Sequence, residues 1–105
     1  MILATTDLVS GRTIVETLGL VRGNSVRAAH IGDDVMATLK NLVGGELREY
    51  TKLLAESREQ ALDRMIAEAR ARGANAIVGL RFASSDISDD AAEILVYGTA
   101  VKLAD

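Results

Sequence analysis

Apolar and polar positions follow two different periods along this chain, and the change from one to the other falls at Gly73. Upstream of it, Leu47, Tyr50, Leu54, Ala61, Leu62, Met65, Ile66 and Ala69 recur mostly three, four or seven residues apart. That spacing gathers them into one stripe of a helix with 3.6 residues per turn. Glu46 and Glu49 bring negative charge to the first turn, and Arg70 and Arg72 bring positive charge to the last. Both signs suit the partial charges at the helix ends. Glu68 and Arg72 stand i,i+4 in the favourable order, a pair worth about 0.2–0.5 kcal/mol. Gly73 supplies the left-handed conformation that best ends a helix. Ile77 to Phe82 then reads as a short buried strand, too brief and too branched for a second helix.

The flanking pattern is weaker but can be followed. Ile2-Leu3-Ala4 predicts an edge strand or an arm, and Thr5 to Gly11 carries turn residues. Thr13 to Val21 is dense in β-branched residues and predicts a strand. Gly23-Asn24-Ser25 predicts a turn or bulge, with extended chain resuming over Val26 to Ile31. Asp33 is a natural N-cap for a first helix carrying Val35, Met36, Leu39, Leu42 and Val43, which Gly44-Gly45 ends or kinks. Ser84-Ser85-Asp86 and Ser88-Asp89-Asp90 predict a polar acidic loop. Glu93 to Leu103 predicts a last strand, antiparallel to the one before it.

Strand, helix pair, strand, strand make an α+β unit, with a small antiparallel or mixed sheet and the helix pair on one face. The 105 residues suffice for one domain, 1–105. In a regular strand Val78, Leu80 and Phe82 point one way and Ile77 and Gly79 the other, so both sheet faces are apolar or bare. One helical layer covers one face. The other predicts a homo-oligomer in which sheets meet.

Composition narrows the chemistry. Only Tyr50, Phe82 and Tyr97 are aromatic, and the net charge is −3. Neither a base-stacking surface nor a basic footprint for nucleic acid is present. The chain has no cysteine and a single histidine, which excludes disulfides and thiolate metal sites. No apolar run reaches a membrane-span length and the first residues lack a signal-peptide layout. The expectation is a soluble cytoplasmic protein that binds neither nucleic acid nor membrane.

Several segments together are distinctive. Thr5-Thr6, Gly11-Arg12-Thr13-Ile14, Gly23-Asn24-Ser25-Val26, Ile31-Gly32-Asp33-Asp34 and Val43-Gly44-Gly45-Glu46-Leu47 stand in this order. Gly73-Ala74-Asn75-Ala76-Ile77-Val78-Gly79 and Tyr97-Gly98-Thr99-Ala100-Val101 follow. The whole chain resembles the YbjQ-like family. That resemblance implies a small α+β, dodecin-like subunit assembled as a homopentamer, with strands joining across subunits. The family carries a heavy-metal-binding label, is otherwise uncharacterised, and supplies no catalytic residues.

Candidate sites follow from residue type. His30, Asp33 and Asp34 offer one imidazole and two carboxylates for zinc or another first-row metal. The competing reading makes Asp33 a cap, Asp34 a dipole partner and His30 a surface residue. Asp86, Asp89, Asp90 and Glu93 lack the spacing of a calcium loop and read as solvated. Arg81 interrupts an apolar strand and calls for a carboxylate, carbonyls or an anion, with Glu16 as the natural partner. Either Arg81 and Glu16 form an ion pair, or Arg81 belongs to a ligand site between subunits. Gly73 to Gly79 is no phosphate loop, because its glycines leave a helix and enter a strand. No Ser-His-Asp or Cys-His set exists. The leading expectation is a non-enzymatic homopentamer holding a small ligand or metal ion between subunits. The alternatives are a structural or protein-interaction module and a metal-dependent hydrolase at His30, Asp33 and Asp34.

Overall fold

The computed structural model describes residues 1–28, 48–88 and 91–105. Strands β1 (Ile2–Leu3) and β2 (Ile14–Ala28) precede helix α1 (Arg48–Ala71), and β3 (Ala76–Ser88) and β4 (Ala91–Leu103) follow it. The strands form one sheet in the order β1-β3-β4-β2. β1 runs parallel to β3, whereas β4 is antiparallel to both β3 and β2. The fold is α+β with a mixed sheet. Of the expected helix pair, the second member is α1, and the first lies outside the described residues.

The stripe on α1 faces the sheet as its spacing requires. Ser57, Ala61, Met65 and Ala69, each four residues apart, are buried. Ala61, Met65 and Ala69 pack on Val21, Ile77, Leu80, Val96 and Ala100, with Leu62 and Ile66 half-buried at the margin. The helix stops at Gly73, whose φ is 84°. Ala74 N–H donates to Ala69 O at 3.0 Å and Gly73 N–H donates to Arg70 O at 3.0 Å, the paired bonds of a Schellman cap. Glu68 and Arg72 pair at 3.0 Å as their spacing predicts.

Two expectations about the strands need correction. The chain makes no turn at Gly23-Asn24-Ser25, because β2 runs through it in register with Val96, Leu95 and Ile94. Gly23 is there for space. A Cβ on it would lie 2.0 Å from Ala61 O and 2.5 Å from Met65 N, so only glycine lets the helix backbone cross this close. Ser84 to Ser88 is likewise strand, not loop, with Ser84 opposite Ile94 and Ser85 opposite Glu93.

The facing of β3 also differs from plain alternation. Gly79 has φ 62° at a register shift between Val78 and Arg81. This bulge reverses the side-chain parity. Ile77 and Leu80 therefore share the helix face, while Val78 lies on the far one with Ala76, Val101 and Leu103. The far face is not wholly bare: Ile2, Ala4, Val9 and Ile14 pack over that second cluster. Backbone bonds extend the arm along β3, from Ala4 N–H to Ile77 O (2.9 Å) and from Gly79 N–H to Thr6 O (2.9 Å).

Candidate functional site

Beyond the N-terminal arm, register sets out the far face in rows. Leu20 lies beside Thr99, Asn24 beside Leu95, and Val26 beside Glu93. Between the first two of these, Arg22 and Arg81 flank Tyr97 from opposite sides. Val21 and Gly23 neighbour Arg22 and face α1, as Leu80 does beside Arg81 and Val96 beside Tyr97. The two arginines and the tyrosine therefore share the side away from the helix. Leu20 is 60% exposed, Val26 51% and Tyr97 38%. The face thus mixes exposed apolar side chains with polar ones and is crossed by one cationic row.

Arg81 does not pair with Glu16 within the chain. Glu16 registers with Lys102 on β4, which stands between β2 and β3. The Arg81 guanidinium instead donates through Nη1 to Thr5 O at 2.7 Å and to Leu80 O at 2.8 Å. It finds the carbonyls that such a residue needs and pins the N-terminal arm; among the described residues Nη2 and Nε make no hydrogen bond. Arg22 contributes its backbone N–H to Glu68 Oε2 at 3.3 Å. Its side chain, like that of Arg81, forms no ion pair among the described residues. Arg22 and Tyr97 escape sequence reasoning because they are far apart in the chain and meet only through β4.

The sheet edges differ sharply. α1 closes the free side of β2: Arg72 Nη1 donates to Leu20 O at 2.9 Å and Leu18 O at 3.4 Å, and Arg64 Nη1 donates to Asn24 O at 2.6 Å. Among the described residues the outer side of β3 is covered by the arm as far as Leu80. From Arg81 to Ser85 the side chains are exposed. On the helix side a cleft of about 340 Å³ opens between Arg58 and Phe82, Ala83, Ser84 and Ile94.

His30, Asp33 and Asp34 lie outside the described residues, as do Asp89 and Asp90. Asp86 belongs to β3 and Glu93 to β4, so the acidic positions do not form one loop. Glu93 Oε2 accepts a hydrogen bond from Asn24 Nδ2 at 3.2 Å.

A family model described as "Putative heavy-metal-binding", YbjQ_1, matches residues 1–104. The chain belongs to the YbjQ family. It is 55% identical over 103 residues to a UPF0145 protein of Pseudothermotoga lettingae, covering 98% of this chain and 97% of that one. A UPF0145 protein of Fervidobacterium nodosum is 58% identical over 103 residues, covering 98% and 95%. One from Halorubrum lacusprofundi is 54% identical, covering 98% and 99%. A crystal structure of a protein of unknown function from Pediococcus pentosaceus, assigned to a DUF74 family, superposes with TM-score 0.66 at 16% identity. It covers 99% of this chain and 98% of its own, and shares the fold.

The YbjQ family's metal description fits this chain poorly. There is no cysteine and one histidine, and soft heavy metals select thiolate and thioether ligands. Among the described residues no three His, Asp or Glu side chains cluster as a metal would require. No helix among them is long and apolar enough to cross a membrane.

Proposed function

We propose that this YbjQ protein is a non-catalytic subunit of a homopentamer that holds a small ligand where subunits meet. The observation that carries the reading is the pairing of an open apolar sheet face with an open β3 edge. Leu20, Val26 and Tyr97 leave exposed apolar side chains together on one side of the sheet, the kind of surface that marks an interface when contiguous. The described residues also have a radius of gyration of 17.2 Å, and extents of 53 × 24 × 16 Å. A compact chain of this length has a radius of roughly 13 Å. An extended hairpin with exposed sides is the shape of a piece that finishes its sheet on a neighbour.

The edges suggest how it does so. α1 blocks β2 from Leu18 to Asn24, and the arm blocks β3 up to Leu80. The open lengths are β3 beyond Leu80 and the end of β2, which are different surfaces. A contact between different surfaces is head-to-tail, and it closes into a ring when the rotation from one subunit to the next closes. The number five rests on the family resemblance. Native mass spectrometry of untagged protein, purified without chelator, tests both halves. The expected result is a five-subunit ion carrying extra mass in stoichiometric steps. A monomer overturns the assembly, and a bare ring overturns the ligand in favour of a structural module.

A further inference from the structure

We propose that Arg22, Tyr97 and Arg81 form a binding row for a small oxyanion, a phosphate or carboxylate group, on the open face of the sheet. The inference rests on the ligand half of the reading above and names the ligand's class. Three observations carry it.

The first is convergence. Arg22 and Arg81 register with the same residue, Tyr97, from its two sides. Their backbones are therefore two strand spacings apart, about 10 Å, on one face of the sheet with Tyr97 between them. The second is positioning. Nη1 of Arg81 is held by Thr5 O and Leu80 O at 2.7 and 2.8 Å, which fixes the plane of the guanidinium. A guanidinium fixed in this way offers its remaining edge to an oxyanion at little further entropic cost. The third is charge. Neither arginine of the row has a carboxylate partner among the described residues, where the ion pair is that of Arg72 with Glu68. On the same face Glu93 is four residues from Tyr97 along β4, roughly 13 Å away, and Asn24 holds its carboxylate. In a chain of net charge −3, two uncompensated cations on either side of a phenol are an anion's place. Tyr97 Oη adds a neutral donor between them.

The test uses the full chain in low-chloride buffer. Inorganic phosphate and succinate are titrated in separate arms, with binding followed through the arginine Nε–H and Tyr97 amide resonances. Oligomeric mass is recorded on the same samples. Saturable shifts at Arg22, Tyr97 and Arg81 are expected, and the arm with the tighter response tells phosphate from carboxylate. Arg22→Met leaves the Arg81–Thr5 contact intact and is expected to weaken binding about tenfold at unchanged oligomeric mass. Tyr97→Phe is expected to weaken it severalfold, and Arg22→Lys to recover part of the loss. Non-saturable shifts, or equal binding by Arg22→Met, overturn the proposal. So does an Arg22→Met protein that loses its assembly while the parent ignores both anions, since the row would then be an intersubunit ion pair. A monomeric parent that still binds phosphate through these residues would sink the pentamer and leave the row standing.

Discussion

Single residues set how closely α1 approaches the sheet, and two glycines do so for different reasons. At Gly23 the obstacle to a side chain is helix backbone at 2.0 and 2.5 Å, which cannot rotate aside. Gly23→Ala therefore forces the helix away from β2 and is expected to cost about 3 kcal/mol or more, at the upper end for overpacking. At Gly73 nothing lies within 4 Å, and only the φ of 84° opposes a Cβ. Gly73→Ala should cost about 1–2 kcal/mol, the penalty of a left-handed alanine. Urea denaturation of both variants at one protein concentration checks the order. A larger loss at Gly73 would mean that α1 does not cross β2 at this point. Next to Gly23 a buried relay runs from the Ser57 hydroxyl to Ser25 Oγ at 2.9 Å, and from Ser25 Oγ to Gln60 Oε1 at 2.8 Å. Ser25→Ala strands both neighbours and is expected to cost about 1–3 kcal/mol. Adding Ser57→Ala should cost less than the sum of the two single changes, since it removes a group already unpaired. Strict additivity in a double-mutant cycle would show that the hydroxyls are not coupled.

At the scale of elements, α1 does more than cover a core. Its outer side carries Arg64, Glu68 and Arg72 onto the free edge of β2, where they take Asn24 O, Arg22 N–H, and Leu18 O and Leu20 O. An edge strand with its polar groups occupied cannot recruit another chain. Arg72→Met is expected to lose about 1 kcal/mol, because the Arg72–Glu68 pair is exposed and its hydrogen bonds are partly screened. Its sharper signature is kinetic. Arg72→Met/Arg64→Met should aggregate faster than the parent during incubation near the unfolding midpoint, as followed by light scattering. Unchanged aggregation would show that this edge needs no guard. These elements also show how far the fold is legible in sequence. α1, its stop at Gly73 and the Glu68–Arg72 pair follow from local spacing, and local chemistry decides them. Gly23-Asn24-Ser25 has the residues of a turn, but Gly23 answers to Ala61 and Met65, about forty residues away, which local propensity does not record. Ser84 and Ser85 are exposed on β3, and polarity alone reads as loop. Glu16 as the partner of Arg81 assumes adjacent strands, whereas β4 lies between them. The row at Tyr97 needs the register of three strands at once. Arg81 is visible from its apolar neighbours; Arg22 is not.

For the whole molecule, the decisive quantity is the apolar surface left on the far face once the arm has covered its own cluster. Leu20 and Val26 sit on that face at 60% and 51% exposure, on an element whose opposite side is packed against α1. In a lone subunit, replacing Leu20 with aspartate would change little, since the side chain already meets water. In the proposed ring the same change would bury a carboxylate against a neighbouring sheet, which costs several kcal/mol per interface unless it is paired. Leu20→Asp is therefore expected to shift native mass spectra and light scattering from the ring to smaller species, while far-ultraviolet circular dichroism keeps the α1 signal. Glu59→Lys, an exposed change on the helix, alters the charge by more than Leu20→Asp does but away from the sheet, and should leave the ring intact. If Leu20→Asp stays assembled and Glu59→Lys does not, the subunits meet through the helix layer, and the open sheet face is exposed in the assembly. The ring and the anion row would then be separable, because Arg22, Tyr97 and Arg81 share Leu20's side of the sheet and would be open to a ligand from solution.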